Sequence, residues 1–188
     1  QIFARLVLNL KRPTVGLLNV GSEEQKGHEE LREASAILRQ IDLPMEFIGF
    51  VEGDDITAGT VDVIVTDGFS GNIALKAAEG TSRMFTFFLK EAFGSSVYSK
   101  IGYAFSKTAI NQVRERMDPR KYNGAVFLGL NGIAVKSHGS TDSFGFANAI
   151  GVAADMSKYG FLDKVKDELR ILHAEGEASE KLRGIGDA

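Results

Sequence analysis

Asp62-Val-Ile-Val-Thr-Asp67-Gly-Phe-Ser-Gly71-Asn72 runs directly into Ile73-Ala-Leu-Lys76-Ala-Ala-Glu-Gly80. A β-branched run ends in an acid, two glycines bracket Phe69 and Ser70, and helix-forming residues follow at once. The pattern predicts a strand that delivers a flexible turn onto a helix N-terminus. Backbone N–H groups and the positive end of the helix dipole gather at such a place, which suits an anion. The Asn72 carboxamide is expected to project into the same spot.

Outward from this stretch the same alternation repeats. Thr14–Val20 is a short apolar run between Pro13 and Gly21 and predicts a buried strand. Ser22-Glu-Glu-Gln25 fits a capping box, which predicts a helix from Glu23 to Gln40 with Leu31, Ala34, Ile37, Leu38 and Ile41 on one face. Met45–Val51 predicts a second strand, Glu52–Asp55 a polar turn with a short helical piece after it, and Val61–Thr66 a third strand. Beyond Asn72 a long helix is expected to Phe93, broken by Gly94-Ser-Ser, with a second helix from Tyr98 to Met117 that Asp118-Pro119 stops. Ala125–Leu130 and Gly132–Lys136 predict two strands joined in a hairpin at Asn131-Gly132. Ser137–Asp142 reads as a polar turn before a helix starting near Ser143, and residues 175–188 read as a flexible tail. Strands alternating with helices predict an α/β domain with a largely parallel sheet and flanking helices.

The 188 residues are enough for one domain with a substantial core. With 44% hydrophobic and 25% charged residues the chain reads as ordinary globular protein, and a net charge of -3 offers nothing to nucleic acid. It has no cysteine, which excludes disulfides, thiolate metal sites and cysteine nucleophiles, and fits a reducing cytosol. No apolar run is long enough for a transmembrane helix. The chain opens on Gln1 in mid-pattern, which reads as a fragment lacking its N-terminal part or as a trimmed terminus.

Three turns share one design: Asn19-Val-Gly21-Ser22, Gly68-Phe-Ser70-Gly71-Asn72 and His138-Gly139-Ser140-Thr141. Each follows an apolar run and precedes a helix, where ligands sit in open α/β sheets. Every α/β protein also has glycine- and serine-capped turns of this kind. Lys26 is either a surface lysine paired with Glu23 or Glu30, or a charge aimed at an anion over the helix end. His138 is either a turn histidine bonded to backbone, or a proton carrier or phosphate donor. Neither the dinucleotide-binding nor the phosphate-loop glycine fingerprint is present. Glu52, Asp54, Asp55, Asp62 and Asp67 read as turn caps and solvated acids rather than a Mg²⁺ set, and the histidines lack metal-ligand spacing, so neither a metal nor a cofactor is expected. Over residues 80–117, Phe85, Phe88, Phe93, Tyr98, Ile101 and Tyr103 concentrate aromatic and apolar side chains on a helical hairpin. That stripe suits core packing, a dimer interface, or a tip that dips into a membrane surface.

Four runs resemble one family: Val15-Gly-Leu-Leu-Asn-Val-Gly-Ser-Glu-Glu-Gln-Lys-Gly27, Phe47-Ile-Gly-Phe-Val-Glu-Gly53, Asp67-Gly-Phe-Ser-Gly-Asn-Ile-Ala-Leu-Lys-Ala-Ala-Glu-Gly80 and Gly129-Leu-Asn-Gly-Ile-Ala-Val-Lys-Ser-His-Gly139. Their content and order are similar to the C-terminal portion of the bacterial phosphate acyltransferases (PlsX), over roughly Ala4 to Lys158. The chain departs from that pattern at Phe50, Asp54 and Ser70, where many members carry Asn, Arg and a branched residue. The resemblance implies a fold like that of phosphate acetyltransferases and isopropylmalate dehydrogenases. It implies conversion of an acyl-[acyl carrier protein] and inorganic phosphate to an acyl phosphate for phospholipid synthesis. It also implies a homodimer held peripherally on the inner face of the cytoplasmic membrane.

Lys26, in Glu-Glu-x-Lys-Gly, matches the family's catalytic lysine, and Asn72, in Gly-x-x-Gly-Asn, its catalytic asparagine. Ser70, Gly71, His138, Gly139 and Ser140 are then expected to help bind phosphate. Three rivals stand beside this reading. They are a short-chain phosphate acetyltransferase, a decarboxylating dehydrogenase on the related fold, and an inactive fragment that only dimerises or binds phosphate.

Overall fold

In the computed structural model, which describes residues 1–170, Thr14–Leu18 (β1) is the middle strand of a three-stranded parallel sheet. It lies between Glu46–Val51 (β2) and Val63–Val65 (β3), in the order β2-β1-β3. Its central position buries Val15 and Leu17, and Phe50 and Val51 complete that core from β2. The β1–β2 register slips by one residue after Val15, so Ile48 bulges out of the ladder. Thr14 pins the register of β1 on β3. Its amide and hydroxyl both donate to Asp62 Oδ2, each at 2.8 Å, and its oxygen accepts the Asp62 amide at 2.8 Å. Before β1, the short helix Ile2–Val7 (α1) buries Ala4, and Pro13 is fully enclosed.

The chain divides into two compact units, Phe3–Gln112 and Val113 onward. The first holds the parallel sheet with Glu29–Gln40 (α2), the single turn Asp55–Ala58 (α3), the long Gly68–Gly94 (α4), and most of Val97–Arg116 (α5). The second holds a one-turn 3₁₀ helix at Pro119–Tyr122, the short antiparallel strands Ala125–Val126 (β4) and Val135–Lys136 (β5), and Ser143–Lys158 (α6). Helical residues 161–170 follow. There α6 packs on the 3₁₀ turn and β5, and Ala149, Met156 and Phe161 are buried. The expected tail at 175–188 lies outside the described residues.

The α/β class and the parallel sheet agree with the sequence reading, but three boundaries differ. The capping box at Ser22–Gln25 does not start a helix; α2 begins six residues later than expected, at Glu29. Its inner face is therefore Leu31, Ala34, Ser35 and Leu38, while Ile37 and Ile41 are exposed. The glycine turn before Asn72 is itself helical, because α4 starts at Gly68. The hairpin at 125–136 forms, but its paired strands are only two residues each, and 127–134 is a loop between them.

Candidate active site

Parallel strands leave the sheet at the same edge, and neighbouring strands lie about 4.8 Å apart. The loops after β1, β2 and β3 therefore leave from one edge of the first unit. They are residues 19–28, 52–54 and 66–67, the last running straight into α4. This carboxyl edge is where open parallel sheets put their ligands.

The loop after β1 carries Lys26, and it is built on Asn19. Asn19 is only 8% exposed. Its amide donates to the Val51 carbonyl at 2.8 Å, continuing the β1–β2 ladder by one rung. Its Oδ1 accepts the Val20 amide at 2.8 Å, and its Nδ2 donates to the Lys26 carbonyl at 3.0 Å. The last bond explains the late start of α2, because it takes the carbonyl that a helix through Lys26 would offer to its own ladder. Gly27, at φ 81°, then turns the backbone out of the helical region. Lys26 is exposed, and its ammonium forms no ion pair among the described residues, so the pairing with Glu23 or Glu30 is not made. Glu24 instead meets Arg39 at 3.4 Å.

The loop after β3 corrects the reading of the opening stretch. Asp67 is the N-cap of α4, and its Oδ1 accepts the Phe69 amide at 2.9 Å and the Ser70 amide at 2.8 Å. The Ser70 hydroxyl, then its amide, hold the Asp67 carboxyl below the usual carboxylate range. The Gly71 amide donates to the Asp67 carbonyl at 3.0 Å. The amides expected to be free for an anion are thus bonded to a carboxylate and a carbonyl, and the carboxylate would repel a phosphate there. Ser70 and the Gly71 amide serve the cap. Gly71 is closely packed: a Cβ there would stand 2.6 Å from Thr66 Cγ2. Asn72, in the second turn of α4, is exposed, and its carboxamide makes no hydrogen bond among the described residues. Lys26 thus stands on the loop after β1, and Asn72 in the second turn of the helix that follows the adjacent strand β3.

Two further acids hold local structure: Asp55 at this edge, and Asp62 at the opposite end of the sheet, just before β3. Asp55 accepts the Glu52 amide at 2.7 Å and the Thr60 hydroxyl at 2.8 Å, and these bonds lower its pKa in that order. Asp62 is lowered by the Thr14 amide and hydroxyl.

In the second unit His138, Gly139 and Ser140 sit on a loop held by a second buried asparagine, Asn123, also 8% exposed. Its Oδ1 accepts the His138 amide at 2.9 Å, and its Nδ2 donates to Ser137 Oγ and to the Gly145 carbonyl, each at 2.8 Å. The Ser140 amide lies 3.3 Å and its hydroxyl 2.9 Å from His138 Nδ1. The neutral tautomer that fits these bonds accepts at Nδ1 and carries its proton on Nε2. Next to this loop Arg120 is held between Asp118, at 2.7 Å, and Asp142, at 2.8 Å. Asp142 also caps α6 through the Gly145 amide at 3.0 Å. Bonds from the Arg120 side chain and then its amide lower Asp118 to about 2.

The helices α4 and α5, which include the hairpin at 80–117, bury no residue. Phe85, Phe88, Tyr98 and Ile101 are exposed, Tyr98 at 87%. Phe93 and Tyr103 meet edge to face at 5.3 Å, which joins the two arms below the turn. No helix among the described residues is long and apolar enough to cross a membrane.

Sequence reading took Asp67 as a turn cap, which it is, but missed Asn123 and the loop-bracing bonds of Asn19. The one available signal was an asparagine beside a glycine at an element boundary, in Asn19-Val-Gly21 and Asn123-Gly124.

Together these features define an α/β protein with an open parallel sheet and its candidate site at the carboxyl edge. The model of the family described as fatty acid synthesis protein matches residues 1–164, and the chain belongs to that family. It is 57% identical over 185 residues to a phosphate acyltransferase of Paramagnetospirillum magneticum, covering 98% of this chain and 53% of that protein. To those of Rhodospirillum centenum and Agrobacterium fabrum it is 61% and 58% identical, over 95% and 91% of this chain and 50% and 49% of theirs. The chain spans about half the length of the curated relatives it matches.

Proposed function

We propose that this chain is the part bearing Lys26 and Asn72 of a phosphate acyltransferase that makes acyl phosphate from inorganic phosphate and a long-chain acyl-[acyl carrier protein]. The observation that carries the proposal is a pair of exposed polar side chains that make no bond among the described residues: Lys26 on the loop after β1, and Asn72 in the second turn of α4, which follows the neighbouring strand β3. The reaction class is that of the phosphate acyltransferases this chain is similar to.

A phosphate oxygen attacks the thioester carbonyl carbon, the new C–O bond forms, and the C–S bond breaks as the carrier leaves as a thiolate that takes up a proton. Phosphate is the nucleophile, so no serine or cysteine is needed. The protein must hold a dianion beside the thioester and stabilise the developing oxyanion. Lys26 acts as a point charge on phosphate, and Asn72 donates to the carbonyl oxygen. In the second unit, His138 with Gly139 and Ser140 forms an anion-contacting loop.

The exposed hairpin supports homodimerisation through its body, at Phe85 and Phe88, and contact with the cytoplasmic membrane surface at its tip, at Phe93, Tyr98, Ile101 and Tyr103. No cofactor enters this scheme.

Lys26→Met and Asn72→Ala in the full-length protein are each expected to lower the rate of acyl phosphate formation by roughly 10²–10³. Near-normal rates would overturn the assignment. Acetyl-CoA tested against a long-chain acyl carrier thioester separates the short-chain acetyltransferase. Product formation by the isolated chain separates an active part from an inactive fragment.

A further inference from the structure

The loop that carries Lys26 has no regular structure between β1 and α2, and an exposed lysine on such a loop samples a wide volume. Asn19 removes much of that freedom. It is buried at the end of β1, its amide is the last rung of the ladder to β2, and its two carboxamide atoms bond Val20 at the start of the loop and the Lys26 carbonyl near its end. Gly27 closes on the other side: at its φ of 81° a Cβ would overlap the Asn19 carboxamide. Gly21 is buried as well, and a Cβ there would lie 3.2 Å from Lys26 Cγ.

We infer that Asn19 is the positioning residue of Lys26: it anchors the backbone of the catalytic lysine to the sheet, so that the ammonium meets phosphate at a fixed place. The inference rests on the phosphate role proposed for Lys26. Neither alanine nor serine at this position reaches both ends of the loop. Aspartate keeps the shape and the acceptor for Val20 but loses the donor to Lys26.

The test uses the full-length enzyme and inorganic phosphate, with Lys26→Met, Asn19→Ala, Asn19→Asp and the double variant Asn19→Ala/Lys26→Met, each checked for native circular dichroism. Either Asn19 variant is expected to raise the KM for phosphate about tenfold or more while leaving the KM for the acyl donor unchanged. The double variant should be no slower than Lys26→Met, because Asn19 acts only through that lysine. If the two losses multiply, or if phosphate KM is unchanged in folded Asn19 variants while Lys26→Met raises it, the inference is overturned. Normal phosphate kinetics in Lys26→Met would instead overturn the reading beneath it. Should Asn19→Ala not fold, Asn19→Asp alone and combined with Lys26→Met carries the same comparison.

Discussion

Gly71 sits where β3 hands over to α4, one residue before Asn72, and its missing side chain can be tested quantitatively. It has a helical conformation, so alanine there should gain about 0.5–1 kcal/mol from backbone entropy alone. Against this stands the 2.6 Å approach of a new Cβ to Thr66 Cγ2, which is 0.8 Å short of the 3.4 Å of ordinary contact. The threonine cannot easily turn aside, because its hydroxyl donates to the Asp67 carbonyl at 3.2 Å. Overpacking of this kind costs about 1–3 kcal/mol.

Gly71→Ala should therefore be neutral to destabilising by about 2 kcal/mol, the balance of those two effects. Thr66→Ser removes Cγ2 and leaves the hydroxyl oxygen at 3.7 Å and Cβ at 3.8 Å as the nearest atoms. In that background the same Gly71→Ala change should stabilise. Equilibrium urea denaturation of the four proteins, followed by far-UV circular dichroism, measures the cycle. An equal effect of Gly71→Ala in both backgrounds would refute the argument. The reaction gives a second readout: a displaced first turn moves Asn72, so activity of the full-length protein should fall in Gly71→Ala and return with Thr66→Ser.

The Asp118–Arg120–Asp142 group predicts an acid limb of stability. Asp118 stays charged in the folded chain down to about 2, against an ordinary value of 3.8, so its contribution is fully present above pH 5 and is lost as pH falls through 3.8 toward 2. Arg120→Gln should bring the folded-state value of Asp118 back toward 3.8 and so shrink that loss, and unfolding midpoints measured between pH 2 and 6 would show a shallower acid limb; identical acid limbs would contradict the ion pairs. For the hairpin, Tyr98→Asp with Ile101→Asp should release the full-length protein from anionic vesicles and leave its sedimentation as a dimer unchanged, whereas monomers that still bind vesicles would assign the tip to the interface.

Much of the fold was legible because strands and helices announce themselves through local periodicity. Val63-Ile-Val65 could only be a strand, and Gly94-Ser-Ser had to break the hairpin. The misread boundaries all depend on partners distant in sequence or on which atom takes a given hydrogen bond. Ser22-Glu-Glu-Gln25 has the letters of a capping box, but the Asn19 side chain holds the Lys26 carbonyl and delays the helix to Glu29. Asp67 could be read as an acid ending a strand. Its carboxylate, however, accepts from the amides of Phe69 and Ser70, and no residue type or spacing shows that choice of partner.

Residue types and their spacing by themselves determined the α/β class and the alternation of elements, because these depend on periodicity, while Lys26 and Asn72 became catalytic candidates only through the family resemblance of the motifs that hold them. Only the tertiary structure decided that β1 and β3 are neighbours, so that the Lys26 loop and the start of α4, which bears Asn72, follow adjacent strands at one edge of the sheet. Only it showed that two buried asparagines hold the loops of Lys26 and His138. Strand order and the choice of partner for a buried carboxamide are properties of three-dimensional packing, and no local pattern of residues encodes them.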